Sequence, residues 1–187
     1  GGLKRVMKQG ARVNANYNYF YTQTGVDHAS IYTGMLPTEH GIVSRAWYDR
    51  LRRKRQFATA SDRYTEIGEQ QGDSVKSLTP DYLQTMSLGS AMKWNNPLSR
   101  VFSIAMNGDE AVLSGGSSAD MAIWFSEKTG EWVSSSYYKR EIPDWLRVYN
   151  TWVESDHFVN KGWMMLSDED KSVARIRLKN HFYYDIA

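Results

Sequence analysis

One stretch, residues 13–42, constrains this chain more than any other. Residues 13–21 alternate asparagine with tyrosine and read as extended. A turn at Gly25 follows, then a short helical pattern that Gly34 stops. Met35-Leu36-Pro37 then leads to a second glycine turn at His40-Gly41-Ile42. A hydroxyl at the strand-to-helix turn sits where free backbone N–H groups and the helix dipole stabilise negative charge, and phosphate is the commonest anion to use such a place. Thr24 therefore has two readings. Threonine is a preferred N-cap. It can also be a nucleophile, provided a base or a metal activates its hydroxyl. Spacing alone favours the cap.

The chain is long enough, at 187 residues, for one domain with a real core. A net charge of +2 does not by itself imply nucleic acid. Cysteine is absent, which removes disulfides, thiolate nucleophiles and Cys-based zinc sites together. There is no phosphate-binding loop, no dinucleotide glycine fingerprint and no Gly-x-Ser-x-Gly elbow. No apolar run is long enough to span a bilayer. Seven Trp and twelve Tyr are many for this length; most sit in strand-like runs, so we expect them in the core and the sheet.

In chain order, Leu3, Val6 and Met7 form one face of a short amphipathic helix ending at Gly10. The basic run Arg52-Arg53-Lys54-Arg55 reads as the solvated tip of a hairpin joining Trp47-Tyr48 to Phe57-Ala58-Thr59. No aromatic residues interleave those charges, which weakens a nucleic-acid reading. Residues 70–77 read as a loop. Thr79-Pro80-Asp81 has the composition of a helix start, and we expect that helix to run to about Lys93. Residues 101–106 predict a buried strand, followed by Asn107-Gly108-Asp109 at its carboxyl end, where ligand sites of open α/β sheets gather. Residues 121–125 and 131–138 predict a hairpin. Pro143 to Trp152 has helical spacing, and Ser167 before Asp168-Glu169-Asp170 predicts one more helix start.

The motif Thr24-x3-His28-x-Ser30-x2-Thr33-Gly34-x2-Pro37-x2-His40-Gly41-Ile42 resembles the nucleophile segment of the type I phosphodiesterase/nucleotide pyrophosphatase family, within the alkaline phosphatase superfamily. The flanks, Gly2-Leu3 through Gly10-Ala11 and Trp47-Tyr48-Asp49-Arg50, resemble the family too, and Ala119-Asp120-Met121-Ala122-Ile123-Trp124-Phe125 and Ile142-Pro143-Asp144-Trp145 resemble its phosphate-monoesterase branch. The resemblance runs in order from Gly2 to Trp163. It implies an α/β fold: part of an alkaline-phosphatase-like layered sheet with helices, plus hairpin and cap elements. It also implies that the chain is the N-terminal part of a larger hydrolase. We expect residues 1–45 and 79–118 to form the core portion, and 46–78 and 119–160 the hairpin and cap elements.

The resemblance makes Thr24 the nucleophile and one metal ligand, with Gly25, Arg45, Asn107 and Asp109 on the substrate side. It departs from the family at three of these. The family carries Asn at the position of Arg45, and the monoesterase branch carries Lys-x-Arg where this chain has Asn107 and Asp109. An arginine fork also binds phosphate, bidentately. An Asp there repels a phosphate dianion unless a metal intervenes. The family uses two divalent metal ions, typically zinc, whose remaining ligands we expect outside this chain, so the chain alone should bind little metal and hydrolyse little. His28 and His40 are framework positions in the family pattern. The implied partner is a small phosphate ester, with neither nucleic acid nor membrane, and the implied location is the periplasm or the exterior. A second reading is a degenerate homologue that binds an anionic ligand without cleaving it.

Overall fold

The computed structural model describes residues 2–14, 16–68 and 76–152, which nearly coincide with the first of two compact units, residues 1–150. The helix start expected at residues 167–170, and His157, Trp163 and His181, lie outside the described residues.

Five strands form the main sheet. β3 (Ala60–Ile67), β4 (Lys76–Leu78), β5 (Phe102–Ala105), β6 (Met121–Ser126) and β7 (Glu131–Ser135) lie in the order β4-β3-β7-β6-β5. All neighbours are antiparallel except β5 and β6, which run parallel and are linked through helix α5 (Gly108–Gly115). A parallel pair needs such a crossover, because its ends lie at opposite margins. β6 is covered on both faces, which its unbroken apolar run Met-Ala-Ile-Trp-Phe foreshadows. Ala122 and Trp124 pack with Ala111 and Val112 of α5. Met121 and Ile123 pack on the opposite side with Ile142 and Leu146, the latter in α6 (Asp144–Thr151). The result is helix on both faces of a mixed sheet.

A further cluster ties α2 (Thr24–Thr33) to α5 through Val26, Ala29 and Leu113, with Ile42 and Ala58 closing it. Gly34 ends α2 in the left-handed conformation, φ 69°, as expected of a glycine stop. One turn of helix, α3 (Pro37–His40), follows. β1 (Ala46–Asp49) and β2 (Lys54–Phe57) then form a separate two-stranded hairpin with the basic run at its turn and second strand.

Several expectations are corrected. The described residues of 13–21 form no strand. Val13 is 83% exposed and Phe20 fully so, and no strand among the described residues runs beside them to take their hydrogen bonds. The helix expected from Thr79 begins only at Leu88 (α4, Leu88–Asn95), capped by the Ser87 hydroxyl, which accepts from the Ser90 N–H at 3.2 Å. The amides of residues 79 and 84 are committed elsewhere, Thr79 to the Thr59 carbonyl (2.7 Å) and Gln84 to the His40 carbonyl (3.0 Å). Tertiary pairing thus overrides a good local start signal. Residues 76 and 77, expected in the loop, belong to β4. β5 is a strand, but an edge strand with Phe102 and Ile104 more than half exposed, not a buried one. The tryptophans are less central than expected: among the described residues only Trp124 is buried, while Trp94, Trp145 and Trp152 are exposed.

Candidate active site

Thr24 is the first residue of α2, and Gln23 occupies the N-cap in extended backbone (φ −143°, ψ 147°). The capping reading of Thr24 is therefore replaced. No side chain caps this helix end, because the Gln23 amide is used otherwise. Its Nε2 donates to the Tyr21 hydroxyl at 2.6 Å, and its Oε1 accepts the Arg45 backbone N–H at 2.9 Å. The first N–H groups of α2 consequently stay open toward an anion. The Thr24 side chain is exposed, and its hydroxyl has no hydrogen-bond partner among the described residues.

Packing of α2 on α5 brings two helix N-termini to one cleft of about 240 Å³. Gln23, Thr24 and Gly25 line one side, Asn107, Asp109 and Glu110 the other, and Arg45 spans them. All five residues singled out in the sequence thus lie together, although 85 positions separate Thr24 from Asp109.

The two helix ends are not equivalent. At α5 the Asn107 side chain is the N-cap, its Oδ1 accepting the Asp109 N–H at 2.9 Å. Asp109 and Glu110 in the first turn further offset that dipole. At α2 neither device operates at the cleft. Its one first-turn acid, Asp27, is turned aside, with Oδ1 accepting from the Tyr19 hydroxyl at 2.8 Å. An anion is therefore better placed at Thr24 and Gly25 than at Asn107.

Arg45 and Asp109 face each other as an ion pair, Nε to Oδ2 3.6 Å, with the arginine side chain largely exposed and the aspartate mostly covered. The other Asp109 oxygen accepts from the hydroxyl of Thr59, a buried residue between β2 and β3. The carboxylate is thus satisfied from two sides and holds the guanidinium beside Thr24. Gln23 and Thr59 were not singled out in the sequence. They act through partners 22 and 50 residues away, so local patterns give no signal for them.

The framework histidines take structural places. His40 is fully buried. Its Nδ1 accepts the Ile42 N–H at 3.1 Å, so Nε2 carries the proton toward Ser30 Oγ at 2.9 Å. His28 Nδ1 donates to the Thr24 carbonyl at 2.7 Å, and its ring stacks on Tyr32. Asp27 and His28 therefore point to different partners. Among the described residues no three His, Cys, Asp or Glu side chains converge as a metal site.

Residues 1–184 match the type I phosphodiesterase / nucleotide pyrophosphatase family. The chain belongs to this family. Within the phosphodiesterase family it is 31% identical to alkaline phosphatase PafA of Elizabethkingia meningoseptica over 171 residues, covering 89% of this chain and 31% of that one. It is 27% identical to alkaline phosphatase PhoV of Synechococcus elongatus (89% and 30%), and 28% identical to a protein of Myroides odoratus named as a calcium-transporting ATPase (92% and 31%). This phosphodiesterase-family chain thus spans about a third of the length of the curated relatives it matches. No helix among its described residues is long and apolar enough to cross a membrane.

The fold agrees with the α/β, alkaline-phosphatase-like expectation. The crystal structure of wild-type PafA superposes with a TM-score of 0.73 at 26% identity, covering 81% of this chain and 29% of that one. A quadruple PafA mutant superposes with a TM-score of 0.75 at 27% identity, covering 82% and 30%. The Thr, Asn, Lys and Arg replaced in that mutant are spaced 21, 62 and 2 residues apart, the same intervals that separate Thr24, Arg45, Asn107 and Asp109.

Proposed function

We propose that this chain is part of a metal-dependent phosphoric ester hydrolase in which Thr24 is the nucleophile. The observation that carries this reading is the exposed, unengaged Thr24 hydroxyl at the uncapped end of α2, inside a cleft with an arginine. The equal spacing with the four residues replaced in the PafA mutant supports it. Thr24 Oγ attacks phosphorus and its proton passes to solvent. The ester oxygen leaves as the alcohol, protonated from solvent. Water then releases phosphate from the phospho-threonine and restores the hydroxyl. Gly25 and the neighbouring α2 amides hold the non-bridging oxygens, and Arg45 completes the cradle.

Two divalent metal ions, zinc in our reading, would supply activation of nucleophile and leaving oxygen. The described residues fit them only at Thr24, since Asp109 is engaged with Arg45 and Thr59. The remaining ligands belong to a longer polypeptide. The substrate is a small phosphate ester, and we place the longer protein in the periplasm or outside the cell.

A second reading is a non-catalytic homologue that binds an anion. The Arg45–Asp109 pair favours it, because Asp109 offsets the charge that would hold a dianion. Chromogenic phosphomonoester and phosphodiester assays with zinc, on the 187-residue chain and on the longer polypeptide, decide between them. We expect background rates from the chain alone and turnover from the longer protein. Thr24→Ala should lower that turnover at least about 10³-fold. Undiminished turnover in the variant refutes the nucleophile, robust turnover by the chain alone refutes the shared metal site, and phosphate binding without turnover supports the second reading.

A further inference from the structure

The β1–β2 hairpin concentrates charge. Residues 46–57 contain Arg50, Arg52, Arg53, Lys54 and Arg55 against one carboxylate, Asp49, a net of +4, whereas the whole chain carries +2. Everything else therefore sums to −2, so the hairpin is far more basic than the chain average. Two of the cations are tempered: Arg52 lies 3.5 Å from Asp49, and Lys54 lies 3.8 Å from Asp62. Arg50, Arg53 and Arg55 face no carboxylate within ion-pair distance among the described residues.

The hairpin is also apolar where it is most exposed. Leu51 sits in the turn, 96% exposed, between Arg50 and Arg52. Tyr48 and Arg55 are directly paired across the strands, as are Ala46 and Phe57, so Tyr48, Arg55 and Phe57 share one face. That face is open: Tyr48 is 63% exposed and Phe57 42%, while Trp47 and Gln56 on the other face are half-buried and buried. The Arg55 guanidinium lies 5.0 Å over the Phe57 ring. A nucleic-acid surface would use the cations but has no use for a leucine at the apex. A lipid surface uses both, with the apolar tip in the headgroup boundary and the cations on anionic phosphates. We propose that the β1–β2 hairpin is a docking element for anionic phospholipid membranes, with Leu51 inserting and Arg50, Arg53 and Arg55 contacting headgroup phosphates. It departs from the expectation of no membrane partner that accompanied the family resemblance, and it is independent of the chemistry at Thr24.

Co-sedimentation of the full 187-residue chain with phosphatidylcholine vesicles, with and without phosphatidylglycerol, at about 0.1 M salt tests this. Binding should require phosphatidylglycerol. Each cation near the surface contributes about fivefold, so the triple variant Arg50→Ser, Arg53→Asn, Arg55→Ser should bind about 100-fold more weakly. Asn is chosen at residue 53 because its φ is +51°, which Asn tolerates. Leu51→Ser should weaken vesicle binding about fivefold and leave binding to inorganic polyphosphate unchanged. Circular dichroism and the Tm of each variant report that the fold is intact. Equal binding to neutral vesicles, no effect of Leu51→Ser, or preferential binding to an oligonucleotide at equal phosphate concentration would each overturn the proposal.

Discussion

At the scale of single residues, buried His40 and the mostly covered Asp120 respond to acid in separate windows. Burial pushes His40 below its ordinary value of 6.5. The unfolded chain therefore takes up a proton that the folded one refuses, and stability falls as pH drops below about 6.5. Asp120 behaves differently. Burial raises its value, but Lys93, the Val101 N–H and Arg100 together outweigh that and pull it from 3.8 to about 2. Its contribution is complete above 3.8 and is lost as pH falls toward 2. Urea unfolding followed from pH 8 to 3 should show two declines, and His40→Gln should remove the upper one while leaving the lower. A single decline below pH 4 in the parent would contradict the His40 assignment. The five candidate positions that line the cleft were named through the family resemblance, and four of them also flank a turn or a strand end, where the pattern of hydroxyl, glycine and charge is local. Gln23 and Thr59 were not, since what they do depends on where the chain returns.

At the scale of elements, the cleft depends on how closely α5 approaches the sheet. Gly108 opens α5 between Asn107 and Asp109 and is buried. A Cβ there would meet the Leu78 side chain at 2.2 Å and the Trp124 ring at 3.2 Å. Glycine is thus required by proximity, not by backbone angle. Gly108→Ala should destabilise by about 1–3 kcal/mol, read as a lower denaturation midpoint, and should displace Asp109 from Arg45. Gly25→Ala is the control: its nearest contact is Leu113 at 3.3 Å, so the loss should be smaller. Equal losses at the two sites would refute this account. The hairpins and α2 were readable because each is closed by its own turn residues. The start of α4 was not, because Thr79 and Gln84 donate to the carbonyls of Thr59 and His40, chain segments about 20 and 44 positions back.

At the scale of the molecule, the five-stranded sheet of the described residues ends at β5 on one side. Among the described residues β5 is paired on one edge only, and it presents the apolar side chains of Phe102, Ile104 and Met106, with Leu88 and Met92 nearby. Such an edge is a template for another strand. The isolated chain should self-associate with rising concentration, and Ile104→Lys should suppress this in sedimentation velocity without lowering the Tm; a parent that stays monomeric would count against it. Sequence pattern identified β5 but not its exposure, because an apolar strand reads alike whether its cover is present or not. The cleft carries a consequence in time. Its two walls come from stretches more than 60 residues apart, and the parallel pairing that seats the second wall cannot form until the crossover helix has been laid down. During synthesis the threonine emerges long before anything stands opposite it, so the pocket is among the last features of this region to exist.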